Sequence, residues 1–115
     1  MVDDGVYHVV RRDGYRVRFL LGADDDVRTV DDVDVYVDLD DGSTWVATVM
    51  TLDAIARVMD RWSRTGEELG GSYFQCPDLV VTREAGVAAI TALVDGLRGE
   101  GELPEVFRRL ESDAD

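Results

Sequence analysis

The sequence predicts an α+β domain, a mostly antiparallel sheet with helices packed on one face, in the order β-β-β-β-α-β-α-α. Three observations carry this. The first half alternates apolar and polar residues with a period of two, broken by Asp13-Gly14 and Asp41-Gly42. Residues 52–65 change to a helical repeat, with Leu52, Ile55, Val58, Met59 and Trp62 on one stripe. A second such repeat, Ile90, Leu93, Val94 and Leu97, follows one more apolar run. The chain's 115 residues, 45% of them hydrophobic, suffice for one core. No linker or internal repeat divides them, so residues 1–115 are expected to form one domain, with a frayed acidic tail at Glu111-Ser112-Asp113-Ala114-Asp115.

The first two strands flank Asp13-Gly14, whose glycine supplies the positive φ of a hairpin. A two-residue turn there sets His8 opposite Phe19 on the inner face, and a three-residue turn moves His8 outside. In residues 32–50, Val33, Val35, Val37 and Leu39 alternate with Asp34, Tyr36, Asp38 and Asp40. A three-residue loop, Asp40-Asp41-Gly42, pairs Val37 with Trp45, Val35 with Ala47 and Val33 with Val49. A two-residue loop would pair Val35 with Thr48, so the wholly apolar face selects the longer loop. Thr51 is placed to cap the first helix, Asp53 suits its positive end, and Gly66 stops it. Pro77 delays the next strand to about Asp78. Thr82 is positioned to cap the second helix and Gly99 to close it. Leu103, Val106, Phe107 and Leu110 suggest a short third helix with Pro104 in its first turn.

Charge excludes several functions. There are 18 Asp and 7 Glu against 12 Arg, with no Lys, for a net charge of -13. A nucleic-acid binder that neutralises phosphates needs a basic patch, and an anionic membrane surface would repel this chain. The start is acidic, with neither the basic nor the apolar region of a signal peptide, and no apolar stretch approaches a membrane span. One unpaired Cys fits a reducing compartment, so a cytoplasmic protein is expected.

The chemistry-bearing residues are sparse. His8 is the one His and Cys76 the one Cys, and neither has a partner nearby in sequence. Cys76 reads as a small buried hydrophobe. Gly70-Gly71 lacks the Lys of a phosphate loop. A calcium loop aligned on Gly42 puts Val37, Leu39 and Thr48 at ligand positions, so hairpin chemistry explains Asp38, Asp40 and Asp41 instead. No metal, no cofactor and no catalysis are expected. The strongest feature is acidic. Asp24, Asp25, Asp26, Asp31, Asp32, Asp34, Asp38, Asp40 and Asp41 fall within 18 positions, offset there by Arg28 alone. Asp34, Asp38 and Asp40 leave the apolar face of their strand, which predicts a negative stripe with Tyr36 as an aromatic anchor. Such a field steers a basic protein. Tyr73 and Phe74 form a second candidate patch, with burial in the core as the alternative reading. Two rival readings stand beside this one: an acidic structural module of a salt-adapted or GC-rich organism, and a small enzyme built on His8 with a carboxylate.

The stretch from Thr51-Leu52 to Thr65-Gly66-Glu67, then Gly70 to Phe74 and Asp78-Leu79-Val80-Val81, followed by Gly101-Glu102-Leu103, resembles small bacterial immunity proteins encoded beside polymorphic or contact-dependent toxins. The resemblance covers residues 45–110. It implies a class of function, inhibition of a cognate toxin by occluding it, and carries over no individual residue. Many such toxins are basic nucleases, which an acidic inhibitor would suit by charge.

Overall fold

A computed structural model describes residues 7–111, so the acidic tail from residue 112 onward lies outside it. One six-stranded sheet organises the chain. β1 (Tyr7–Arg12), β2 (Tyr15–Leu20), β3 (Asp32–Leu39) and β4 (Thr44–Thr51) run antiparallel in sequence order. β5 (Leu79–Thr82) joins β4 in parallel, and β6 (Arg108–Arg109) pairs antiparallel with β4 at Trp45 and Val46. The architecture is thus the expected α+β layer, with one added short strand and a parallel edge.

Apolar alternation sets both registers. At Asp13-Gly14 the loop has two residues, Gly14 takes φ +84°, and His8 faces Phe19 on the inner side. At Asp40-Asp41-Gly42 the loop has three, with Gly42 at φ +90°, and Val37, Val35 and Val33 oppose Trp45, Ala47 and Val49. The Asp41 carboxylate closes that turn by accepting from the Ser43 N–H at 2.8 Å and hydroxyl at 2.6 Å. A one-residue slip would carry Val33, Val35 and Val37, all buried, into water. Each such burial contributes about 1.5–3 kcal/mol.

The core lies on the inner face, where Val17, Phe19, Val33, Val35, Val37, Ala47 and Val49 meet Val87, Ile90 and Val94 of α3 (Val87–Glu100). Leu103, from the single turn α4 (Leu103–Val106), and Phe107 close one end. The expected third helix stops here because Phe107 turns extended and the chain is drawn onto β4, where the Leu110 N–H donates to the Thr44 carbonyl at 2.8 Å. Val106 and Leu110 are consequently exposed. The second helix also departs from expectation at both ends. Thr82 does not cap it but ends β5, donating its hydroxyl to the Glu84 carbonyl, and the helix closes at Gly101 rather than Gly99. Its start is set by distant backbone: the Gly86 N–H donates to the Val30 carbonyl at 2.7 Å and the Val87 N–H to the Val27 carbonyl at 2.8 Å.

α1 (Leu52–Thr65) is bounded as its sequence predicts. The Thr51 hydroxyl accepts from the Ala54 N–H at 3.1 Å, and Gly66, at φ +88°, returns its N–H to the Trp62 carbonyl. Thr51→Ala is expected to lower stability by about 1 kcal/mol, read from the urea midpoint. The apolar stripe of α1, however, stays outside the main core cluster. Leu52 is 71% exposed, since in the first turn the buried residue is Ala54, and further cover lies over the later turns. That cover is α2 (Glu67–Gly71) and the chain after it. In α2, Glu68 and Leu69 adopt left-handed angles (φ +49° and +54°), and Gly71 packs on the Met59 carbonyl where a Cβ would collide. Phe74 then stacks on Trp62 at 5.6 Å.

Candidate functional site

The outer face of the sheet carries the side chains that alternate out of the core, and it is highly ordered. Arg18 stands between two aromatic rings, its guanidinium carbon 4.8 Å from the Tyr7 centroid and 4.8 Å from that of Tyr36. The two rings meet edge to face at 5.8 Å. Strand pairing builds this stack: Arg18 lies opposite Tyr36 across β2–β3, and Tyr7 enters from β1. The guanidinium is also anchored to Asp38, from Nε at 2.7 Å and from a terminal nitrogen at 3.1 Å. Arg16 Nε donates to the same carboxylate at 2.7 Å and the Thr44 hydroxyl at 2.8 Å. Partial burial alone would push the Asp38 carboxyl up. The bonds from Arg18, Thr44 and Arg16 reverse this and hold it down at about 2.

The nine positions expected to face a partner therefore separate into distinct environments. Asp38 is neutralised by two arginines, so the stripe of negative charge expected along β3 is interrupted at its centre. Asp34 accepts from the Thr48 hydroxyl at 2.9 Å. Tyr36 belongs to the arginine stack, and burial raises its hydroxyl's pKa above the ordinary value, with Tyr7 and Asp34 adding to the effect. Asp40 is exposed at the second hairpin turn, where its backbone N–H donates to the Gly14 carbonyl, and Asp41 closes the same turn. In the loop between β2 and β3, Asp25 accepts from the Gly22 N–H and Asp26 from the Arg28 N–H, both as local turn bonds. Asp24 is exposed.

Asp32 marks where negative charge gathers. Its carboxyl is raised above the usual range by partial withdrawal from water, and further by the carboxylates of Asp31, Asp34 and Asp25, while Arg57 opposes the shift. Arg57 is itself bonded to Asp31, at 2.8 Å. Four of the acids, Asp25, Asp31, Asp32 and Asp34, thus gather at the end of the sheet where β3 begins. Among the described residues, no group of three His, Cys, Asp or Glu is arranged to hold a metal ion.

Sequence reasoning missed Tyr7 and Arg18, the two partners that order Tyr36. The period-two pattern places both on an outer face, but nothing local says that β2 lies beside β3. Of the second patch, Phe74 is spent on Trp62 and half-buried, whereas Tyr73 is exposed, with Glu68 bonded to its hydroxyl. Cys76 is half-buried, its thiol next to the Pro77 carbonyl.

His8 lies on the inner face at one end of a groove between β1 and α3. Asp95 lies at the other end, where it is engaged by Arg12 and by the Tyr15 hydroxyl. Arg12 is four residue steps along β1 from His8, about 13 Å of extended chain. Among the described residues no carboxylate hydrogen-bonds His8, so the groove contains an imidazole and an acid without pairing them. No protein-family model, curated protein or solved structure matches this chain. Among the described residues, no helix is long and apolar enough to cross a membrane.

Proposed function

We propose that this protein acts by binding, and that it neutralises a basic protein, a toxin of the kind met by immunity proteins, by covering its active cleft. One observation carries the reading: an open sheet face presents a pre-ordered Tyr7–Arg18–Tyr36 stack beside a group of under-compensated carboxylates around Asp32. Tyr and Arg are the residues that anchor protein interfaces, and a stack already fixed in the free protein loses little side-chain freedom on binding. The carboxylates do a different job. They raise the rate of encounter with a positively charged surface and disfavour nucleic acid. An inhibitor of this kind needs no bond-making groups, and the cytoplasm is where a producing cell would need it.

The two parts are expected to respond differently, and the test uses the product of the adjacent gene as the candidate partner. Asp24→Asn/Asp32→Asn should slow association about tenfold at low salt, with dissociation almost unchanged, and the gap should close as salt rises. Tyr36→Ala should instead speed dissociation, by tenfold or more if it is an anchor of about 2 kcal/mol. Asp32→Asn should also stabilise the free protein by a few tenths of a kcal/mol, since it relieves like-charge repulsion at an exposed site. Association that ignores both salt and the Asp pair, with dissociation indifferent to Tyr36, overturns the proposal.

A further inference from the structure

A helix is about 10 Å across, whereas five strands at about 4.8 Å spacing are about 20 Å wide. α3 therefore leaves the sheet open along both edges, beside His8 on the β1 side and along β5 on the other. The two edges differ in character. β1 ends in Arg11 and Arg12, charges of the kind that discourage pairing with another chain. β5, which reads Leu79-Val80-Val81-Thr82, carries no such charge.

The Thr48 N–H donates to the Asp78 carbonyl at 2.9 Å, which sets the phase of the parallel ladder between β4 and β5. Val80 and Thr82 bond to β4, and the N–H and carbonyl groups of Leu79 and Val81 point away from it. Among the described residues no strand lies on that side, and neither N–H has a backbone acceptor. The side chains are apolar on both faces. On the outer face Val81 is 46% exposed and shares a cleft with Leu52. On the inner face Val80 borders a groove of about 580 Å³ with Ala89, Ala92 and Leu93 of α3. Charge nearly cancels here, in a chain of net charge -13: Asp78 is bonded to Arg108, and Arg83 stands against Asp53 and Glu84. Two copies can approach at this edge with little of the repulsion that the rest of the surface imposes.

We propose that β5 is a dimerisation edge, at which a second copy of this chain pairs antiparallel about a two-fold axis and joins the two sheets. A two-fold normal to the sheets keeps like faces together, so residues set opposite each other must share a face. One register satisfies the whole edge. Leu79 lies opposite the second copy's Val81, and Val80 opposite the second copy's Val80. Every free donor then meets a free acceptor, and each facing pair is apolar. Sliding one way brings Pro77, which has no N–H, into the ladder. Sliding the other way sets Val80 against Thr82 and runs past the end of the strand. The edge is thus complementary to itself, which singles out a second copy as its occupant. The contact is short, about 13 Å of strand flanked by Leu52 and Leu93, so the dimer is weak and reversible. The Tyr7–Arg18–Tyr36 stack lies on β1, β2 and β3 and stays open.

Sedimentation velocity of the full chain tests this. The average mass should rise reversibly from monomer to dimer with concentration, with a dissociation constant of about 100 µM or tighter. Added salt should tighten the dimer, because it screens repulsion between two strongly negative copies. That sign is opposite to the one expected for a basic partner. Amide exchange read by NMR should identify the edge. The Leu79 and Val81 N–H groups should exchange about tenfold more slowly in concentrated than in dilute samples, while those of Val80 and Thr82 are protected in both. Val81→Arg should weaken dimerisation about tenfold or more by placing charge in the apolar seam. Val81→Pro should do the same by deleting an outward donor that β4 does not use. Cooperative melting of both variants shows that the fold is kept. A monomer up to about 1 mM, which leaves the edge to a strand of another protein or to none, overturns the proposal. So does a dimer indifferent to both substitutions, or exchange at Leu79 and Val81 that ignores concentration. Neither variant touches Tyr36 or Asp32, so failure here is separate from failure of the partner surface.

Discussion

Gly86→Ala is expected to lower the thermal midpoint by roughly 10–15 °C, equivalent to about 3 kcal/mol for a domain of this size. Two independent effects add. Gly86 has φ +100° and ψ 151°, a region that costs an L residue about 1–3 kcal/mol. A Cβ there would also lie 2.6 Å from the Arg28 carbonyl oxygen, which is backbone and has no rotamer to yield. Relief requires moving the β2–β3 loop, and that loop is tied to α3 through the Gly86 and Val87 N–H groups. Val30 and Val87, both buried, would loosen with it. The internal control is Gly96→Ala in the same helix, where nothing lies within 4 Å of the new methyl. That substitution should stabilise by about 0.5–1 kcal/mol through helix propensity. Calorimetry of the two variants separates crowding and backbone strain from a general intolerance of α3 to change. Equal midpoints for Gly86→Ala and the parent protein would refute the account of how α3 is positioned.

Asp38→Asn is expected to destabilise by about 2–4 kcal/mol and to change the acid limb of the stability curve. The amide leaves Arg18, whose side chain is 18% exposed, without its anion, and it loses at least one of four hydrogen bonds. The pH dependence has a definite sign. The Asp38 carboxyl titrates near 2 in the fold against 3.8 ordinarily, so the folded state binds its proton less readily than the unfolded chain. Its contribution, about 2 kcal/mol, is complete above roughly pH 5, fades as pH falls through 4 towards 2, and vanishes below that. Asp32 acts in the opposite direction. Its raised pKa lets the folded state take up a proton first, which favours folding as acid is added. In Asp38→Asn the loss of stability between pH 5 and pH 2 should therefore be shallower than in the parent, as urea titrations across that range would read. Parallel curves would mean that Arg16 and Arg18 do not hold this carboxylate in solution.

These results also bear on how the partner surface should be probed. By composition Asp34 and Asp38 are interchangeable with Asp24 and Asp32, but their side chains are tied into the sheet face. Removing Asp38 would confuse lost folding with lost binding. Asp24 and Asp32 are the informative pair, because neither is engaged in closing a turn or anchoring the arginine stack.

Much of this protein is legible from its residues alone, where the deciding physics is local. The alternation of Val33, Val35 and Val37, with Gly42 three residues after Leu39, selects one hairpin register, since every other choice exposes apolar side chains. Thr51 and Gly66 bound α1 through hydrogen bonds to neighbours a few residues away. Asp25, Asp31 and Asp34 stay close enough to Asp32 to raise its carboxyl because the segment is short. What required the tertiary structure is each feature made by residues far apart in sequence. Arg16 and Arg18 reach Asp38 across 22 and 20 positions, and so the expected stripe is broken. The start of α3 is fixed by Val27 and Val30, not by Thr82, because a helix begins where its first N–H groups find acceptors. The groove beside His8 exists because one helix is narrower than the sheet beneath it, a fact of layer geometry that no periodicity in the chain records.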